Sequence, residues 1–130
     1  MSALAQNAYT RMQADGLTGR ALEAAVLDKC ARELHTLVKR GSANVDAIHK
    51  ALDRNREMWS IYVASIADEA SPLPIEIKRN IADLALYVEA LMRKAIVEQD
   101  VKALEPIIFI NRHLAAGLRG HAGAELPPLQ

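Results

Sequence analysis

The sequence predicts an all-α fold, an antiparallel helical bundle of four main helices plus a short N-terminal helix, and three observations carry that prediction. Strong helix formers dominate while aromatics make up only 4% of residues and glycine is scarce, which disfavours a sheet-rich fold. Apolar residues recur three and four positions apart in four long segments, the period of a helix buried on one face. The connections between those segments are short, so neighbouring helices should run in opposite directions.

The chain divides into a short N-terminal helix or arm over 1–17, a bundle domain over 18–120 and a disordered tail over 121–130. The first segment is apolar at Leu4, Ala8 and Met12 and stops at the turn signal Asp15-Gly16. It has few large side chains to bury, so two arrangements are open to it: a mobile arm, or a lid docked on something larger. Thr18 can cap the next helix, 18–40, which ends at Gly41 with Lys39 and Arg40 placed to complement its dipole. Its stripe is Leu27, Ala31, Leu34 and Val38, flanked by Val26, Cys30 and Leu37.

Asn44 can cap a helix over 44–67, with Ile48, Leu52, Trp59, Tyr62 and Ile66 facing inward. The stretch DEASPLP then breaks the chain, and Pro74 fits the first turn of a helix over 74–97. That helix carries the longest stripe, Ile77, Ile81, Leu84, Val88, Leu91 and Ala95, widened by Ala85 and Met92. Leu84 and Val88 should be among the most buried residues. After EQDVK, Pro106 disfavours helical geometry at Glu105, so 101–104 reads as a separate turn or kinked lead-in and the last helix, 106–118, starts at or just before Pro106. The tail, HAGAELPPLQ, has little to bury.

Basic and acidic side chains balance at 16 each and are interleaved, leaving no broad basic face for nonspecific nucleic-acid or anionic-membrane binding. Protein partners are favoured, and direct nucleic-acid contact is not. The longest uncharged apolar run, MWSIYVASIA, falls well short of the ~18 to 20 residues that span a bilayer. With one cysteine, Cys30, no internal disulfide can form, and the N-terminus lacks the apolar core of a signal peptide; a cytoplasmic protein is predicted.

No phosphate-cradling glycine loop, nucleophile elbow or paired-cysteine spacing occurs, so neither an enzyme nor a small-molecule cofactor is predicted. Cys30 reads as a buried core residue rather than a thiolate activated by Lys29. The histidines His35, His49, His113 and His121 lie off the main stripes and never pair one helical turn apart, so no metal site is expected, although Asp46 shares such a spacing with His49. Glu89, Glu98 and the other carboxylates read as outer-face charges.

Two stretches stand apart, ALDRNREMW (51–59) and EPIIFINRHLAAGL (105–118), because each sets an Asn-Arg pair inside an apolar stripe. Asn55 takes the inward slot between Leu52 and Trp59. Asn111 is the central slot of Leu104, Ile107, Ile108, Leu114 and Leu118. A buried amide is costly unless its donors and acceptors find partners. In one reading the two asparagines bond to each other, or to loop backbone such as DEASPLP, and fix helix registry. In the other, Asn55, Asn111, Arg56, Arg112 and Trp59 line a groove for a partner segment. The two combine if the arginines serve the partner while the asparagines hold the frame.

The set ALDRNREMW, LPIEIKRNIADLALYV (73–88) and LEPIIFINRHLAAGLRG (104–120) resembles the flagellar-biosynthesis regulator family FlaF of alphaproteobacteria. The opening stretches AQNAYTRMQ and GRALEAAVLDKCARELHTL are similar to the family's beginning as well. The resemblance implies a regulator of flagellin production that acts after transcription, opposes the regulator FlbT, and is required for flagellin accumulation and export. The simplest mechanism for a helical bundle is a flagellin-binding chaperone. Alternatives are a translational regulator binding flagellin messenger RNA, and an adaptor acting through FlbT.

Overall fold

The computed structural model describes residues 19–41, 44–71 and 73–120. Among these residues there are four α-helices and no strand: α1 (Gly19–Arg40), α2 (Val45–Ala67), α3 (Ile75–Glu98) and α4 (Glu105–Leu118), with a 3-10 turn at Val101–Leu104 leading into α4. The expected N-terminal helix, the Thr18 cap and the expected disordered tail lie outside the described residues.

The helix boundaries follow from local chemistry. The Asn44 side chain accepts the Ala47 N–H at 3.2 Å, closing one of the donors that the first turn of α2 leaves open. Gly41, with φ +59°, ends α1 in the left-handed region that a side chain disfavours. Pro74 sits one residue ahead of the first turn, at the cap position of α3, where its missing N–H is never needed. Glu105 departs from the sequence expectation: it is helical (φ −57°, ψ −44°) although Pro106 follows, because the 3-10 turn delivers it in that geometry. The turn is itself capped by Asp100, whose carboxylate accepts the Lys102 N–H at 2.9 Å. Gln99 closes α3 in the left-handed region at φ +53°, with its N–H bonded to Ala95 O at 2.9 Å.

One core gathers from all four helices. α1 buries Leu22, Leu27, Ala31 and Leu34, α2 buries Ile48, Leu52, Trp59 and Tyr62, and α4 buries Ile107, Ile108, Ile110 and Leu114. On α3 the expected stripe is rotated: Ile81, Leu84, Val88, Met92 and Ala95 are buried, Leu91 is half-buried, and Ile77 is 37% exposed. The spacing 3, 4, 4, 3 of that buried set keeps it on one face, and Met92 fills the slot expected of Leu91.

The most extensive contact is between α1 and α4, and α1 also packs on α2, α2 on α3, and α3 on the 3-10 turn. Polar contacts show how each pair is aligned. Glu33 meets Arg54, and Glu23 accepts from Ser65, so the order of residues along α1 is reversed along α2. Arg56 with Glu89 and Lys78 with Asp68 O reverse in the same way between α2 and α3. Asp28 with Arg119 ties the middle of α1 to the residue that follows α4.

Leu84 and Val88 are 2% and 0% exposed, among the most buried side chains, as the periodicity predicts. Replacing either with alanine should destabilise the chain by about 1–4 kcal/mol in urea unfolding, the usual range for truncating a core side chain. Near-neutral values at both would mean that the wrong face of α3 has been placed inward.

Candidate functional site

The polar centre of the core is built from α2, α3 and α4. Asn55 and Asn111 are both 0% exposed and are the buried polar residues of the described chain. Asn111 donates from Nδ2 to Asn55 Oδ1 at 2.7 Å, and Trp59 donates from Nε1 to Asn111 Oδ1 at 2.9 Å. Asn55 Nδ2 then meets Met92 Sδ at 3.4 Å.

The orientation of this chain of bonds follows from its first member. An indole N–H can only donate, so Asn111 must turn its oxygen toward Trp59 and its NH2 toward Asn55. Asn55 must therefore accept with its own oxygen, which leaves its NH2 facing Met92, a weak thioether acceptor. The bonds join α2 to α4 and then α2 to α3. Of the partners open to the amides in the sequence, they use each other rather than the DEASPLP loop. No described buried side-chain nitrogen or oxygen lacks a hydrogen-bond partner.

Trp59, 3% exposed, is fixed further by an edge-on contact with Tyr62 at 6.0 Å between ring centroids. Asn55, Asn111 and Trp59 are thus enclosed, and direct contact of these three side chains with a partner would require the core to open. The two arginines lie elsewhere, on different seams. Arg56 is half-buried on the α2–α3 seam, bonded to Glu89 at 3.1 Å and to Asp53 at 3.5 Å. The bond to Glu89 raises its guanidinium above the ordinary range, against a smaller opposing effect of burial. Arg112 is exposed beside α1 and has no ion-pair partner among the described residues.

Glu89 corrects the sequence reading of an outer-face charge. It is half-buried between Arg56 and Arg93, flanking the Val88 stripe on the side that meets α2. Its spacing to Arg93, one helical turn, was readable, but the partner on α2 was not. Cys30 is free and buried, and burial, with Glu33 adding to it, pushes its thiol up to about 12. That thiol stays protonated at neutral pH and is a poor nucleophile. No group of three or more described His, Cys, Asp and Glu residues is arranged to hold a metal ion, and no described helix is long and apolar enough to cross a membrane.

Two open grooves flank α4. The larger, about 410 Å³, is walled by Tyr62, Leu73, Ile77, Ile81, Leu114 and Leu118, with Gly117 in its lining and Arg20 among its polar groups. The second, about 350 Å³, is formed by His35 and Val38 of α1 with Ile108, Phe109 and Arg112 of α4. His113 lines both grooves and lies against Phe109, 4.0 Å between ring centroids. Sequence reasoning missed Phe109, which is 50% exposed although it sits in the apolar run IIFI. Its spacing of four from His113 was the available signal.

The polar centre yields a test. Asn111→Ala strands two groups, the Trp59 N–H and the Asn55 oxygen, whereas Asn55→Ala strands only the Asn111 NH2 and a weak sulfur contact. At about 1–3 kcal/mol for each stranded group, Asn111→Ala should be the more destabilising of the two in denaturant unfolding. Equal or reversed costs would contradict the bond directions.

No curated protein and no solved structure matches this chain at a significant level. Residues 5–118, nearly the whole sequence, match the family described as flagellar protein FlaF, and the chain belongs to that family.

Proposed function

We propose that the chain acts in flagellum biogenesis as a flagellin-binding chaperone, covering an amphipathic segment of unassembled flagellin and so regulating its synthesis and secretion after transcription. The family is of a regulatory type rather than an enzyme family, which agrees with a protein that works by binding. The antiparallel bundle supported by the reversed order of the interhelical contacts offers the means, a seam between helices into which another helix can lay its apolar face.

The observation that carries this reading is the larger groove. Ile77 and Leu118 belong to stripes that elsewhere form the core, yet Ile77 is 37% exposed and Leu118 only half-buried. Among the described residues, the apolar pattern therefore continues past those that the helices cover. Gly117 adds to this. A glycine inside a helix costs about 0.5–1 kcal/mol relative to alanine, and here neither backbone nor packing demands it, since a Cβ would meet nothing within 4 Å. What it leaves is open space between Leu114 and Leu118, room for an incoming side chain.

Titration of the purified protein with purified flagellin tests the reading, with flagellin leader RNA as a parallel arm. Gly117→Trp should fill the groove while the chain stays folded, and Ile77→Asp should place a charge on its wall; each should weaken flagellin binding at least tenfold with little change in melting temperature. Unchanged affinity in both variants would refute the groove. Tight RNA binding that falls steeply with salt, without flagellin binding, would instead favour a translational regulator.

A further inference from the structure

The second groove differs from the first in chemistry. Its floor is apolar, from Val38, Ile108 and the half-exposed ring of Phe109, and its rim carries Arg112, His35 and His113 against one carboxylate, Glu105. Along α1, Arg32 and Lys39 stand three residues before and four after His35, so these three exposed basic side chains follow one helix face beside the groove. The arginines that hold the fold together are spoken for: Arg54 by Glu33, Arg56 by Glu89 and Asp53, Arg119 by Asp28. Arg112, Arg32 and Lys39 have no ion-pair partner among the described residues. In a chain whose formal net charge is zero, this is a local excess of positive charge around an exposed aromatic ring.

We propose that the Phe109–Arg112 groove is a docking surface for an acidic amphipathic helix of a partner protein, one that sets an aliphatic side chain on Phe109 and carboxylates toward Arg112 and the α1 basic face. The assignment stands apart from the flagellin reading, which concerns the other groove. Charge complementarity selects the occupant. The guanidinium of Arg112 can take a carboxylate with two parallel hydrogen bonds, and the ring beside it takes the neighbouring aliphatic group. Nucleic acid fits less well, because the groove holds one unpaired arginine, an acidic side chain at its rim and an aliphatic floor instead of a stacking platform. A second copy of this chain is disfavoured, since a self-complementary contact would bring Arg112 and its basic neighbours toward their own kind.

The test uses the full chain and a fluorescein-labelled helical peptide whose one face carries leucine flanked by glutamates, with a twin in which every glutamate is lysine. By fluorescence anisotropy the glutamate peptide should bind, and the lysine twin at least tenfold more weakly. Arg112→Glu should weaken the glutamate peptide at least tenfold and improve the twin, while Phe109→Ala should weaken the glutamate peptide with no loss of folding. Affinity should fall between about 0.15 and about 1 M salt, as the Debye length shrinks from roughly 8 to 3 Å. Amide shifts on binding should cluster at His35, Phe109, Arg112 and His113 and leave Ile77 unmoved. The proposal is overturned by no binding of the glutamate peptide, by equal binding of both peptides, by insensitivity to Arg112→Glu, by shifts centred on Ile77, by tighter binding of a single-stranded oligonucleotide, or by self-association that Arg112→Glu abolishes.

Discussion

The rest of the structure depends on one buried hydrogen bond, from Asn111 Nδ2 to Asn55 Oδ1 at 2.7 Å, with the Trp59 indole attached to its far side. Apolar packing between helices tolerates sliding, because one aliphatic side chain replaces another at modest loss. A pair of amides does not, since any slip of α2 along α4 strands several polar atoms in the core together. The closest general precedent is the single buried asparagine that fixes register in coiled coils at some expense in stability. Here Trp59 adds rigidity, being held by its own hydrogen bond and by Tyr62.

That frame determines what the surface can offer. The amides tie α4 to α2 across the core while α4 packs most extensively on α1, and a groove stays open on each flank of α4. The two are opposite in character, one apolar with an empty glycine position, the other basic around a phenylalanine. His113 borders both. The Asn-Arg pairs divide along the same line. The asparagines turn in, Arg56 braces α2 against α3 through Glu89, and Arg112, one position beyond its buried neighbour, faces outward.

Much of this was legible in the sequence because it is local. The helix spans follow from period and punctuation: Asn44 caps, Gly41 stops, and Leu84 and Val88 hold the centre of their stripe. The inward phase of Asn55 and Asn111 could be read from spacing alone, since a helix face is a local property. Which partner each amide takes is a tertiary fact, and the spacing left it open between the other amide and a loop. Rotation of the α3 stripe toward Met92 was hidden for a similar reason, as Leu91 and Met92 both fit the period and only the neighbour's sulfur contact with Asn55 separates them. Glu89 looked solvated because its partner lies on α2, 33 residues away. The grooves were least legible. Periodicity marks Ile77, Val38 and Leu118 as inward, and cannot tell that the described helices leave them partly uncovered.

The central claim, that the amide–indole chain is locked within the cooperative core, is tested most directly by hydrogen exchange of the Trp59 indole N–H followed by NMR. The account predicts exchange only with global unfolding, at the same opening free energy as the slowest core amides, and loss of that protection in Asn111→Ala. Exchange through a small local opening in the unaltered chain, or equal protection in Asn111→Ala, would contradict it.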